Sequence, residues 1–169
     1  PLVAPVGATF AYNNNAADFL AVLARRATGR SMYGDVIERL LGPLGMGDGD
    51  WMRDGAGDPR AAGELVIRPI DLAKIGQLVL DRGVFGDARL VSEGWIDQML
   101  APSPAFAGCG LLWWRRGEGD QRYVEAEGYL GQYLAVVPDL DLVIVRMRDP
   151  NTTSWNAEEF GYMGFRDDV

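Results

Sequence analysis

Residues 133–147 read Tyr-Leu-Ala-Val-Val-Pro-Asp-Leu-Asp-Leu-Val-Ile-Val-Arg-Met. Two short apolar runs rich in valine and isoleucine flank Pro138-Asp139-Leu140-Asp141. A proline and two aspartates between such runs are turn chemistry. The spacing therefore predicts a β-hairpin, with Tyr133 to Val137 paired to Leu142 to Met147. Working upstream, Arg122 to Ala126 and Leu111 to Trp114 have the same strand character. Trp113 and Trp114 would then alternate faces, so at most one points into a cleft while the other packs.

Before Pro102 and Pro104 the period changes from two to about 3.6. Asn14 or Asn15 can cap a helix reaching Thr28, with Phe19, Leu20, Leu23, Ala24 and Ala27 on its apolar side. Gly29 stops it. Ser31 can cap a second helix in which Tyr33, Val36, Ile37, Leu40 and Leu41 share a face, ended by Gly42-Pro43. Residues 45–63 are rich in Gly and Asp and read as a long loop. A third helix runs from Pro69, a good first-turn residue, to Gly83, and a turn follows at Gly86-Asp87. Ser92 caps a short fourth helix containing Trp95, Ile96, Met99 and Leu100. Helices first and an antiparallel meander afterwards predict an α+β fold. The division is a mainly helical region over 1–104, strands over 105–150, and a tail or C-terminal helix over 151–169.

The chain has 169 residues, 48% of them hydrophobic, which is enough to bury a core. A formal charge of −8 argues against a nucleic-acid partner, which needs a basic face, and against a polybasic membrane patch. No apolar run has the length of a membrane span. The single cysteine, Cys109, excludes an internal disulfide and leaves the compartment open between bacterial cytoplasm and periplasm. Its glycine and leucine neighbours suit a small packed residue better than a reactive thiol. Pro1 to Gly7 read as a loop, so the chain is taken as a fragment or a processed product.

Two absences restrict the chemistry. There is no histidine, so neither a Ser-His-Asp nor a Cys-His arrangement can be completed here, and histidine-ligated zinc is excluded. Lys74 is the only lysine, and no Ser-x-x-Lys or Gly-x-x-x-x-Gly-Lys occurs. Asp48, Asp50, Asp54 and Asp58 have the look of a calcium loop. An acid would be needed at position 61, which is Ala61, so the spacing fails and no metal or cofactor is expected. Asn151-Thr152-Thr153 fits a glycosylation pattern with no secretory context to support it. Trp155, Glu158 and Glu159 carry no assignable chemistry.

The candidate chemistry lies in Phe10-Ala11-Tyr12-Asn13-Asn14, directly before the first helix. A tyrosine there can serve as a general base where nearby cations lower its pKa from about 10. Asn14 can hold a substrate amide or orient a lysine. The structural alternative is that Tyr12 packs and the asparagines cap a helix.

Longer blocks add to this reading. Phe-x-Tyr-x-Asn, Thr28-Gly29-Arg30-Ser31, Pro43-Leu44-Gly45-Met46, the run Arg68 to Leu78, Gly110-Leu111-Leu112-Trp113-Trp114 and Gly128-Tyr129-Leu130-Gly131-Gln132 occur in that order. Together they resemble serine hydrolases of the class C β-lactamase and penicillin-binding-protein superfamily. That group includes penicillin-binding carboxypeptidases, family VIII esterases and nylon-oligomer hydrolases. The resemblance implies that residues 1–169 are the C-terminal portion of one such catalytic domain. It implies that Tyr12 takes part in proton transfer with a serine nucleophile and that Asn14 lies in the substrate site. The strand at Gly128, Tyr129, Leu130, Gly131 and Gln132 would line the cleft. A backbone N–H there, that of Tyr129, would help complete an oxyanion hole. Trp113 or Trp114 is a possible substrate contact.

The nucleophile and its lysine would lie upstream of Pro1, in an N-terminal segment that acts as partner, and the chain alone is expected to be inactive. The third motif lacks Lys-Thr-Gly or a histidine, which favours the esterase and amidase branch. The implied reaction is cleavage of an ester, amide or β-lactam bond through an acyl-serine intermediate, on a small-molecule ester or amide substrate and with no cofactor. The rival readings are a non-catalytic binding or regulatory module and a D-Ala-D-Ala-type peptidase on the same scaffold.

Overall fold

The computed structural model describes residues 4–47, 49–119 and 122–149. The proposed glycosylation sequon and the tail or helix over 151–169 lie outside these residues, as does Asp48.

The first helix, α1, spans Asn14–Thr28 and ends at Gly29 in the left-handed conformation. Its cap is Asn13, not Asn14 or Asn15: the Asn13 side chain accepts from the Ala16 N–H at 3.3 Å. Any of three consecutive asparagines can cap a helix, and only Asn13 has the extended backbone that an N-cap needs. The apolar side of α1 is largely uncovered within this chain. Phe19 (63%) and Leu23 (52%) remain exposed, while Ala21 is fully buried. Charged residues on another side contact the 51–66 segment. Arg25 Nε donates to both carboxylate oxygens of Asp58 at 2.9 and 3.0 Å, and Asp18 accepts from the Ala62 N–H at 2.9 Å.

The second helix, α2, covers Met32–Val36, capped by Ser31, and runs directly into a π-helical turn over Ile37–Leu41. The Gly42 N–H donates to the Ile37 carbonyl at 2.8 Å, the wide bond that closes this turn. Pro43 has no N–H with which to continue it. The 45–63 stretch is not wholly loop. Strand β1 (Asp50–Trp51) pairs antiparallel with β2 (Leu65–Val66). Trp51 organises the segment between them: its indole N–H donates to the Arg60 and Gly63 carbonyls at 3.0 and 2.8 Å.

Helix α3 spans Pro69–Leu80 and stops at Asp81, short of Gly83. Its buried Asp71 accepts from Arg68 Nε at 2.7 Å and from Lys74 Nζ at 3.0 Å; Lys74 also reaches the Gly45 carbonyl at 2.9 Å. These hydrogen bonds, Arg68 first, hold the Asp71 carboxyl below its ordinary pKa. The sole lysine thus ties α3 to the end of the π turn. Leu41, Leu44, Met46 and Leu78 form the helical core there, with Ile75, Ile67, Phe85 and Leu90 packed around it. The Gly86-Asp87 turn joins β3 (Val84–Phe85) to β4 (Ala88–Arg89), and α4 (Glu93–Leu100) follows, capped by Ser92.

Four strands form the antiparallel meander in the order β5-β6-β7-β8: Trp114–Arg116, Tyr123–Gly128, Gln132–Val137 and Leu142–Arg146. The expected 133–147 hairpin is present, with Val137 opposite Leu142 and the turn closed by Asp141 at φ +50°. Strand β5 starts at Trp114, three residues later than expected. Leu112 has φ +64°, so the chain turns where the pattern suggested an extended run. Trp113 therefore lies outside the strand, and the expected alternation of Trp113 and Trp114 on two faces does not apply. Helix α3 covers one face of β7 and β8, where the backbone of Gly76 comes close to Leu134 and Val143. The fold is α+β.

Candidate active site

The segment before α1 crosses to the sheet through aromatic contacts. Phe10 lies 4.8 Å from Phe106 and meets Trp114 edge-on at 6.0 Å, measured between ring centroids. The Tyr12 ring stacks on Trp114 at 6.1 Å, with the planes 12° apart. Aromatic pairs favour these edge-on and offset arrangements. Tyr12 is nonetheless 68% exposed, and Asn14, the first residue of α1, is exposed too. Of the two tryptophans, Trp114 and not Trp113 makes the ring contacts with this segment.

Trp114 has a second neighbour. The Arg116 guanidinium carbon sits 4.9 Å from its ring centroid, in cation–π range. Arg116 is itself gripped by two carboxylates of β6: Nε donates to Glu125 at 2.5 Å and Nη2 to Glu127 at 2.6 Å. Glu125 is 2% exposed and lies directly opposite Trp114 in the sheet. Burial pushes its carboxyl up to about 7, with the neighbouring Glu127 adding and Arg116 opposing. The sequence reading did not pick out Arg116, Glu125 or Glu127. Their signal was the period-two spacing of 114/116 and 123/125/127, with charges placed among apolar positions on one face.

Gly128 to Gln132 is a hairpin turn between two strands and not one continuous strand. Gly128 ends β6, Gln132 starts β7, and Tyr129 to Gly131 cross between them. Leu130 has φ +62° and Gly131 φ +78°, so an ordinary side chain is held in the left-handed region, where strain is expected for a bulky residue. Two arginines from the far hairpin hold the turn's carbonyls. Arg146 Nη1 donates to the Gly131 carbonyl at 3.1 Å, and Arg148 Nη1 to that of Leu130 at 3.3 Å. The Gln132 amide brackets the Arg148 backbone, donating to its carbonyl at 3.2 Å and accepting from its N–H at 2.8 Å. In a trans peptide the N–H points away from the C=O, so arginines on one side turn the N–H groups of Gly131 and Gln132 to the other. Tyr129 at the tip is 83% exposed. A shallow cavity of about 180 Å³ at the base of the turn is lined by Leu72, Ala126, Glu127, Gly128, Gln132 and Tyr133, among others. The turn begins three residues beyond Glu125, and hence roughly 10 Å along β6 from the row that holds Trp114.

A family profile described as Beta-lactamase matches residues 1–158. The chain belongs to the beta-lactamase family. A 6-aminohexanoate-dimer hydrolase of Paenarthrobacter ureafaciens is 29% identical over 91% of this chain and 43% of its own length. A solved structure of a Bacillus anthracis protein, assigned as a 6-aminohexanoate-dimer hydrolase, superposes with a TM-score of 0.80 at 27% identity, covering 98% of this chain and 45% of that one. SurE crystallised with D-Leu aligns with a TM-score of 0.71 at 26% identity, over 85% of this chain and 40% of its own. The chain thus spans less than half the length of these beta-lactamase-like relatives.

Other polar groups of this beta-lactamase-family chain have structural partners. Asp54 accepts from the Ala56 and Asp58 N–H groups at 2.8 and 3.0 Å, which shapes its own loop, and Asp58 is taken by Arg25. Among the described residues no cluster of His, Cys, Asp or Glu is arranged to hold a metal ion. Cys109 is half-buried, its thiol directed at the Gly110 carbonyl, and burial raises its pKa, which disfavours the reactive thiolate. Among the described residues no helix is long and apolar enough to cross a membrane.

Proposed function

We propose that this chain is the C-terminal portion of a serine hydrolase that cleaves a small ester or amide through an acyl-serine intermediate. A serine supplied by the N-terminal segment attacks the substrate carbonyl. Its proton passes by way of a lysine and Tyr12 to the departing alcohol or amine. Water then attacks the acyl ester and regenerates the serine. Asn14, at the start of α1, holds the substrate. An N–H of the 128–132 turn donates to the oxyanion, an interaction worth about 3–4 kcal/mol where such donors are preorganised.

The observation that carries this reading is the placement of Tyr12. Its ring stacks on Trp114, and its other side is uncovered in this chain, where the N-terminal segment that supplies the serine would meet it. The amide-hydrolase names of two relatives favour the amidase and esterase branch. The test is Tyr12→Phe in the full-length protein, assayed with a short-chain nitrophenyl ester and a linear amide. Loss of the phenol should lower kcat by about 10²–10⁴-fold. The melting temperature should hardly change, because the ring and its stack remain. A kcat within about threefold of the parent would leave Tyr12 as packing and remove the middle member of the mechanism.

A further inference from the structure

We propose that Arg116, clamped by Glu125 and Glu127 and laid over Trp114, is a positioning residue that fixes Tyr12 through the Trp114 ring. The inference rests on the reading of Tyr12 as the proton carrier. The Tyr12 ring stacks on Trp114, which holds that side of the phenol whatever the N-terminal segment brings to the other. What orients Trp114 therefore orients Tyr12. Phe10 touches the indole edge-on, and Arg116 lies over it two residues further along β5, on the same face of the strand.

An arginine side chain has many rotamers, so a guanidinium can serve as a fixed surface only if something fixes it. Here two carboxylates do so, through Nε and Nη2. A planar fork held at two of its nitrogens has little freedom to tilt away from the indole. The arrangement is costly as a stabilising device. An ion pair that buries a carboxylate to 2% exposure is often matched or bettered by apolar side chains of similar volume, and the same row of the sheet holds Trp114, Ala135 and Ile144. A defined guanidinium plane beside Trp114 is something an apolar residue at position 125 could not supply.

The clamp also carries a pH signature. Among the described residues, the groups that face Glu125 include Arg116 on β5 and Tyr123 and Glu127 on β6. Tyr133 of β7 and then Arg146 of β8 continue the Glu127 row, and the Cys109 thiol lies within the field of Arg116. With its carboxyl titrating at about 7, Glu125 loses its charge just below neutrality, and the fork then keeps only the Glu127 arm at full strength.

The test is a double-mutant cycle in the full-length protein with a nitrophenyl ester, combining Arg116→Met with Tyr12→Phe. Arg116→Met should lower kcat about tenfold or more with KM within about twofold, and should have little further effect once Tyr12 is Phe. Arg116→Lys, which keeps the charge without the fork, should recover part of the loss. Glu125→Gln should abolish the limb near pH 7 in the kcat profile. Because Arg116→Met leaves Glu125 buried without its cation, Arg116→Met with Glu125→Gln serves as the folded stand-in, checked by its melting curve. An equal loss from Arg116→Met in both Tyr12 backgrounds would overturn the proposal, since a structural defect does not depend on the phenol. So would a kcat within twofold of the parent beside an impaired Tyr12→Phe, and that outcome would leave the hydrolase reading intact. A fully active Tyr12→Phe would instead remove that reading, and this inference with it.

Discussion

Gly76 faces the sheet from the middle of α3, and replacing it with alanine sets two effects of opposite sign against each other. In a helix interior alanine is favoured over glycine by about 1 kcal/mol. A Cβ at position 76, however, would lie 2.5 Å from Val143 Cγ1 and 2.7 Å from Leu134 Cδ1. Carbon atoms in good contact sit about 3.5–4.0 Å apart, so the overlap is roughly 1 Å on two sides. Neither methyl has an easy retreat. Leu134 is 2% exposed, and both residues sit on strands whose backbones are locked in register, Val143 opposite Val136 and Leu134 opposite Val145. Relief requires the helix to lift from the sheet, and overpacking of this kind costs about 1–3 kcal/mol. The net expectation is a loss of up to about 2 kcal/mol, or a fall in Tm of up to about 8 °C for a chain of this size. Gly34, inside α2, is the control. A Cβ there meets nothing within 4 Å, so Gly34→Ala should stabilise by up to about 1 kcal/mol. Urea unfolding of both variants gives the signs directly, with an unchanged m-value certifying that only stability moved. A Gly76→Ala variant stabilised as much as Gly34→Ala would refute the claim that α3 approaches the sheet this closely.

Two further outcomes follow from the same packing and from the buried carboxyl. Leu134→Ala should cost about 2–5 kcal/mol in urea unfolding, and Gly76→Ala should be less harmful in that background because one of the two opposing methyls is gone. For Glu125, the folded pKa of about 7 lies above the ordinary 4.5, so its stabilising contribution is complete below pH about 4.5 and is lost as pH rises through 7. The stability of the parent relative to Glu125→Gln should therefore decline between pH 5 and 8, by at most about 3 kcal/mol; a flat difference across that range would show that Glu125 does not titrate there.

The sequence was most legible where one period dominated. The 133–147 hairpin, α3 and α4 could be read from apolar spacing, turn residues and caps, because packing there agrees with local preference. It was least legible where tertiary contacts decide. The stripe Phe19, Leu20, Leu23 identified a helix but not the contact on its other side, which Arg25 makes with Asp58, distant in sequence. The three asparagines at the start of α1 are interchangeable in propensity, and only backbone conformation selects Asn13 as the cap. The late start of β5 has the same origin: Leu112 carries no turn signature, yet it adopts φ +64°. At the candidate site, Tyr12 and the 128–132 segment stood out as motifs, whereas the residues that support them did not. Arg116, Arg146 and Arg148 look like surface charges until the strands are paired.

That pairing also explains why the site residues belong to the sheet more than to the helices. Tyr12 leads into α1, yet its ring is fastened to β5. Its position relative to the 128–132 turn is therefore set by the register of β5 against β6. Trp114 stands opposite Glu125 and Arg116 opposite Tyr123, which puts Arg116 on the face that carries Glu125 and Glu127. A slip of one residue would carry Trp114 to the opposite face and bring Arg115 against the carboxylates. The aromatic anchor would be lost together with the charge clamp. The Arg116 pairs thus select among registers as well as orienting a ring, because a buried Glu125 without its guanidinium is the costly alternative. At the other end of the same hairpin, Arg146 and Arg148 hold the turn through its carbonyls. Charged side chains in the sheet thereby fix both the residue proposed to move the proton and the turn proposed to receive the oxyanion.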